Sequence, residues 1–220
     1  MGLMQIITDF LFPEKCVLCR KVLKKDETDL CRLCRVDSPV CAGENKKYPF
    51  LESWTAVWYY EDAVRKSILR FKFYGARWYA GAYGRMLAMA LQRKHPEGFD
   101  ILTWVPTARA RKLRRGYDQA ELLAKVVGRE LGMQPQKLLK KVRNNKPQSN
   151  IIGQAQRRAN VLGVYRVAEE ADLKEKRILL LDDVITTGAT AGEAARVLLT
   201  QGAGQVHCGA VAVSRRKPER

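Results

Sequence analysis

Histidine is nearly absent: only His95 and His207 occur in 220 residues. With so few imidazoles no Ser-His-Asp or Cys-His arrangement is expected, and both rings are read as lying in loop and strand without catalytic duty. No apolar run approaches transmembrane length. Residues 1–15 lack the basic start and small-residue cleavage site of a signal peptide, and Asp9 interrupts their apolar run, so a cytoplasmic location is expected. Leu3, Ile6, Ile7, Phe10 and Leu11 fall on one helical face. Such a face packs on its own domain or touches the cytoplasmic side of a membrane peripherally, and the lack of Lys or Arg before Lys15 favours packing.

Acidic residues are scarce as well, with 23 Asp and Glu against 40 Lys and Arg, a formal charge of +17. Residues 63–96 and 131–168 contain no acid at all. A field of this sign disfavours polycationic partners and attracts phosphates, whether polynucleotide, nucleotide or anionic lipid. The 46% hydrophobic and 29% charged content is otherwise that of a globular chain. The length suits one α/β domain with a small appendage, and a boundary near residue 50 divides the chain into 1–50 and 51–220.

The appendage is defined by cysteine. Five of the six cysteines fall in residues 16–41, as Cys16-Val-Leu-Cys19, Cys31-Arg-Leu-Cys34 and Cys41. Each C-x2-C turn puts two thiolates on one side, and two facing turns complete a tetrahedral sulfur shell, so a structural zinc ion held by Cys16, Cys19, Cys31 and Cys34 is expected. Disulfides would require secretion, and a thioredoxin-like pair would require a βαβ context that is missing here. Cys41 either replaces one ligand or stands by. A closed sulfur shell leaves no coordination site for catalysis, so the module binds nucleic acid or a partner, or covers the main domain.

Residues 54–60 (W-T-A-V-W-Y-Y) and 101–105, stopped by Pro106, read as strands. Between them Arg65, Lys66, Arg70, Lys72, Arg77, Arg85, Arg93 and Lys94 alternate with Phe71, Phe73, Tyr74, Trp78, Tyr79 and Tyr83. Cations that track phosphates beside rings that stack on bases suit a single-strand groove; an amphipathic helix with Ile68, Leu69 and Phe71 inward explains part of the same pattern. After the second strand, five of the seven residues 109–115 are basic, at the strand end where open α/β sheets bind ligands. Asp118 and Glu121 form a capping pair for a helix with Leu122, Leu123, Val126, Val127 and Leu131 inward and Gly132 at its end. The polar run 144–150 reads as a loop able to close over an anion, or as one without function. Arg65, Lys72, Arg77, Arg111, Arg114, Arg115, Arg143, Arg157 and Arg158 are the candidate nucleic-acid contacts.

The most specific signal is Ile178-Leu-Leu-Leu-Asp182-Asp183-Val-Ile-Thr186-Thr187-Gly188-Ala189-Thr190, followed by a helical pattern. Four apolar residues make a buried parallel strand, and two carboxylates at its end are costly unless a ligand or cation uses them. Gly188 permits a turn into a helix whose N–H groups suit a phosphate. These thirteen residues resemble the phosphoribosyl pyrophosphate (PRPP) motif of type I phosphoribosyltransferases. The resemblance implies an α/β fold with a parallel sheet flanked by helices. By it, Asp182 and Asp183 hold the ribose hydroxyls and Thr186, Thr187, Gly188, Ala189 and Thr190 the 5'-phosphate. Val105, Thr107, Ala108 and Arg109 match the pyrophosphate loop. Asp182, Asp183 and Arg109 become the catalytic candidates, with Mg2+ accompanying PRPP. Thr186 stands where 6-oxopurine transferases carry an aspartate, which argues against hypoxanthine or guanine as acceptor.

The paired C-x2-C units, R-x-x-I-x-x-F-K-F-x-G (65–75), V-P…R-x-x-R-G-Y-D-Q-A (105–120), Q-x-R-R-x-N-V and the PRPP motif together resemble the ComF family of competence proteins over nearly the whole chain. Asp118, commonly Asn in that family, is a mild departure. The resemblance implies a role in natural transformation where single-stranded DNA enters the cytoplasm, with other DNA-uptake proteins as partners. The alternatives are a transferase acting on an unidentified base or nucleotide and a zinc-dependent scaffold.

Overall fold

The computed structural model describes residues 13–43, 46–143, 154–168 and 171–215. Their elements run α1 (Arg32–Asp37), β1 (Ser53–Tyr59), α2 (Asp62–Phe73), α3 (Tyr79–Lys94), β2 (Ile101–Trp104), α4 (Arg109–Arg115), α5 (Gln119–Leu131), β3 (Leu139–Lys141), α6 (Gln154–Val161), β4 (Tyr165–Val167), β5 (Arg177–Ile185), α7 (Ala189–Thr200) and β6 (Gln205–Val213). The helical face at residues 3–11 and the loop at 144–150 lie outside the described residues.

Four strands form one parallel sheet in the order β1-β6-β5-β2. The near-continuous apolar run of β6 and the Ile178–Leu181 run of β5 suit its centre, because a parallel strand covered on both faces has no solvent side. On one face Leu87, Leu91, Ala124 and Val127 of α3 and α5 pack against Leu102, Leu179 and Leu181. The two helices approach closely at Gly84, where a Cβ would lie 2.5 Å from Val126 Cβ, so only glycine allows the contact. On the other face Ala194, Ala195 and Leu198 of α7 cover Ile178, Leu180 and Val206. The short antiparallel ribbon β3–β4, with Lys141 opposite Tyr165, stands outside this sheet.

Asp118 caps α5, its carboxylate accepting from the Ala120 and Glu121 N–H groups, and Gly132 closes the helix at φ 69°. The reciprocal half of the expected capping pair does not form. Glu121 instead takes Lys112 (2.7 Å) and Lys125 (2.9 Å), since ammonium groups attract its carboxylate more strongly than a neutral backbone donor.

Among the aromatics of residues 71–83, Phe71, Tyr79 and Tyr83 are core residues, stacked edge-on around Tyr83. Phe73, Tyr74 and Trp78 lie outside, the last two 76% and 71% exposed. The helical-core reading therefore holds for half of the rings, and the other half are exposed.

The cysteine segment is no free arm. Cys16, Val17, Leu18, Leu30 and Cys31 share one apolar cluster with Val64, Ile68, Phe71 and Tyr83. The Ser67 hydroxyl donates to the Val17 carbonyl, Arg70 donates to the Val17 and Leu18 carbonyls, and Arg85 pairs with Asp29 through both carboxylate oxygens.

The histidines lie in loop and strand as expected, but share a hydrogen-bonded line that was not expected. Ser53 Oγ lies 3.2 Å from His95 Nε2 and 2.9 Å from His207 Nδ1, and His95 Nδ1 is 3.3 Å from Glu97, giving a Ser-His-Glu line. Nothing in sequence spacing signals it, because β1, β6 and the end of α3 meet only in the fold. Arg177 holds Glu97 and both rings are buried. Burial, then the charge repulsion of His95, lowers the His207 pKa to about 4. The cluster thus joins the amino ends of the strands as a hydrogen-bonded pin in which His207 is neutral near pH 7.

Candidate functional site

The carboxyl ends of β5 and β2 lie side by side. Trp104 is in register with Leu181, and the Val105 N–H donates to the Leu181 carbonyl (2.9 Å), which brings residues 105–109 next to Asp182. Val105 and Ala108 are buried, Thr107 is half-buried and Arg109 is exposed at the start of α4. The chain then turns at Gly188, φ 74°, the N-cap of α7, which offers no side-chain oxygen to the first helical turn. Asp182, Thr186, Gly188, Ala189 and Thr190 line one narrow cleft at this turn. A wider cleft of about 680 Å3 lies at the opposite ends of β2 and β5, among Asp100, Gln136, Lys137, Asp172 and Lys176. Its volume exceeds that of the narrow cleft, but it contains none of the paired acids or hydroxyl residues of the motif, so the narrow cleft is the candidate site.

Asp182 is crowded by protein atoms on most sides. That burial, together with Asp183, raises its carboxyl pKa to about 8, while Lys72 opposes the rise. Asp183 pairs with Lys72 at 2.7 Å and donates its N–H to Asp182 Oδ1 (2.7 Å). The fold therefore bears unfavourable electrostatics here, as functional sites do. An acid with a raised folded pKa lends stability fully below its unfolded value near 4 and loses it as pH rises through about 8. Asp182→Asn is accordingly expected to raise Tm, by more at pH 8 than at pH 5; thermal unfolding at the two pH values checks this, and a lowered Tm at pH 8 contradicts it.

Three neighbours were not assigned to this site from sequence. Asp118 is buried and accepts from the Thr107 N–H (2.8 Å), so it shapes the 105–109 loop as well as capping α5; burial raises its pKa. Lys141 and Tyr165 come from the ribbon, the ammonium 5.7 Å from the ring centroid. Burial first, then Arg111, lowers the Lys141 pKa to about 8, with Asp182 opposing. The Lys141 basicity and the second role of Asp118 have no sequence signature because both arise from long-range packing.

The other cations fall into groups. Lys72 is committed to Asp183 and does not face solvent as a free phosphate contact. Arg115 is half-buried, stacked 4.7 Å from the Phe73 ring centroid and donating to Gln119. Arg65, Arg77 and Arg114 are exposed and Arg111 is half-buried. Arg143 is exposed and donates to the Leu162 carbonyl (2.7 Å). The side chains of Arg157 and Arg158 lie outside the described residues.

The sulfurs of Cys16, Cys19, Cys31 and Cys34 lie within 4.8 Å of one another and can hold a metal ion. Cys19 and Cys31 sulfurs are 3.6 Å apart, near the edge of about 3.8 Å that a tetrahedron of Zn–S bonds gives. Burial works against the Cys16 thiolate, but N–H groups of Cys19, Cys31 and Leu18 outweigh it and bring its pKa to about 7. Cys41 is not in this group; its N–H donates to the Val57 carbonyl and it packs beside Trp54 and Tyr59.

A parallel sheet with paired acids at its carboxyl edge and a hydroxyl-rich turn into a helix defines a phosphoribosyltransferase-type domain, and residues 113–220 match the family model described as the phosphoribosyl transferase domain. The chain is, further, similar to curated competence and DNA utilization proteins over most of its length. It is 27% identical to Competence protein F of Haemophilus influenzae over 89% of this chain and 95% of that protein. Identity is 26% to Competence protein ComFC of Bacillus subtilis (85% and 78%) and 27% to the DNA utilization protein YhgH of Escherichia coli K12 (87% and 86%). Among solved structures, the glutamine PRPP amidotransferase of B. subtilis matches at 22% identity and TM-score 0.40, over 59% of this chain and 26% of that one, so the chain spans about a quarter of its length. A purine phosphoribosyltransferase of Pyrococcus horikoshii matches at 21% and 0.39, over 64% and 80%. No helix among the described residues is long and apolar enough to cross a membrane.

Proposed function

We propose that this protein binds PRPP at the carboxyl ends of β2 and β5 and handles incoming single-stranded DNA in the cytoplasm during DNA uptake. The carrying observation is the juxtaposition of Asp182 and Asp183 with residues 105–109 on one side and the Gly188 turn into α7 on the other. Asp182 and Asp183 would take the ribose hydroxyls, Thr186 to Thr190 the 5'-phosphate, and the Thr107–Arg109 backbone with Arg109 the pyrophosphate. The residues fit a divalent cation here, because the Lys72 ammonium already stands in for one against Asp183. Mg2+ would supply charge neutralisation for the departing pyrophosphate. Zinc is the metal proposed for the four cysteines, on the chemistry of an all-thiolate set.

Single-stranded DNA is the polymer favoured by Tyr74 and Trp78, exposed on either side of the exposed Arg77 in sequence, since rings that stack on bases and a cation that tracks phosphates share this short segment. Relatives named for competence and DNA utilization support the same reading. Calorimetric titration of PRPP with Mg2+ is expected to show binding that Asp182→Asn/Asp183→Asn lowers by at least about tenfold. Repeated with single-stranded DNA present, it is expected to show a shifted affinity. Equal binding by wild type and variant would overturn the PRPP site, and equal titrations with and without DNA would overturn the coupling.

A transferase activity is the second reading. It is favoured by Lys141, an amine with a pKa of about 8 in the electrostatic reach of Asp182, which can give and take a proton near neutral pH. Pyrophosphate release that depends on an added base or nucleotide tests it.

A further inference from the structure

Lys72 is a component of the ribose site that its own sequence neighbourhood assigns to a DNA surface. Its ammonium lies 2.7 Å from Asp183 Oδ1, with the two side chains only 21% and 16% exposed. Lys112 and Lys125, which pair with Glu121, are 50% and 62% exposed. The partner of Lys72 is moreover a member of the acid pair that the phosphoribosyl reading needs for its ligand.

The helix that carries Lys72 is held on several sides. Ser67 and Arg70 of α2 bond the carbonyls of Val17 and Leu18 in the first cysteine turn. The Tyr117 hydroxyl donates to the Phe71 carbonyl, and Arg115 stacks on Phe73. These contacts bracket the last turn of α2, so the ammonium reaches Asp183 from a fixed helix and not from a loop. Adjacent acids at the end of a buried strand disfavour double ionisation, and a cation beside one of them favours its charged form in the absence of ligand. The lysine supplies that charge from within the chain.

We propose that Lys72 is a positioning residue of the phosphoribosyl site: its ammonium occupies Asp183 in the ligand-free protein and yields that carboxylate to the ribose hydroxyls and the divalent cation that arrive together with the ligand. The inference rests on the reading of the site given above. Its consequence concerns the metal alone. A divalent ion approaching Asp183 competes with a tethered ammonium, so the free protein binds it weakly and discriminates against metal without ligand. Once released, the ammonium remains next to the site, where the phosphates of the ligand give it a new partner.

The test uses Mn2+ as probe and the full, zinc-loaded chain, with free Mn2+ read by electron paramagnetic resonance. Lys72→Met is expected to bind Mn2+ more tightly than wild type by about tenfold or more, the scale of one competing charge contact. Lys72→Arg keeps the competing charge and is expected to stay near wild type, and Asp183→Asn added to Lys72→Met is expected to remove the gain. Unchanged or weaker Mn2+ binding in Lys72→Met overturns the proposal, as does a gain that survives Asp183→Asn. Thermal unfolding of Lys72→Met separates loss of the fold from loss of the contact; if that variant does not fold, Lys72→Gln gives the same two outcomes. Failure of PRPP to bind the wild type would sink the ligand assignment while leaving the Mn2+ result to decide the exchange.

Discussion

Cys31→Ser is expected to release the metal and lower the melting temperature of the whole protein, not only to unfold a small appendage. Cys31 is buried, its sulfur is 3.6 Å from that of Cys19, and serine offers a poor ligand in its place. A segment of this size has little core of its own, so ligand binding and local folding are one process. The apolar residues that the first cysteine turn contributes, Val17 and Leu18, sit in the same cluster as Ile68, Phe71 and Tyr83. Loss of the turn uncovers α2 and α3 and strands Ser67, whose hydroxyl bonds the Val17 carbonyl and Tyr83. A cost of at least about 3 kcal/mol, converted at roughly 2–4 °C per kcal/mol for a chain of this size, gives a fall in Tm of roughly 6–12 °C. Metal content by elemental analysis and a melting curve check both parts. A variant without metal that melts at the wild-type temperature would show that the module only rests on the domain.

The second large effect is expected at Gly188. Its φ of 74° is left-handed, which costs a residue with a Cβ about 1–2 kcal/mol. A Cβ at this position would also lie 2.7 Å from Tyr48 Cε1, and relieving such an overlap costs about 1–3 kcal/mol more. Gly188→Ala should therefore destabilise the fold by roughly 2–5 kcal/mol and displace the turn that begins α7. Gly188→Ala made in a Tyr48→Ala background separates the causes, because Tyr48 is itself a core residue: measured against Tyr48→Ala alone, the glycine substitution is expected to cost only the backbone component. If Gly188→Ala costs the same in both backgrounds, the Tyr48 contact contributes nothing at this position. Denaturant unfolding measures both.

The glycine shows where sequence stops. Its place after two acids and two threonines marks a turn into a helix, but Tyr48, from far upstream, enters the site only through the fold. The same holds along the chain. The run Ile178–Leu181 and the acids after it are legible because a buried parallel strand demands unbroken apolar residues and leaves its polar end exposed to a ligand. The two C-x2-C turns are legible because four thiolates need those spacings to converge.

What sequence order does not carry is which cation serves which purpose. Arg65, Lys72, Arg77 and Arg115 look alike in sequence, yet Arg65 and Arg77 face solvent, Arg115 lies on Phe73 and Lys72 pairs with Asp183. Likewise Ser53, the His95–Glu97 pair and His207 come from three separate places and form one hydrogen-bonded cluster.

The sequence by itself determined the parallel α/β domain, the four-cysteine cluster and the acid pair beside a hydroxyl-rich turn, because each is a local pattern imposed by strand burial, ligand spacing or turn geometry. Only the tertiary structure decided that the cysteine module is fastened to α2, that α2 delivers Lys72 to Asp183, and that Asp118 and Lys141 flank the same acids. These are contacts between segments far apart in the chain, and their energy depends on distance in space, which residue order alone does not encode.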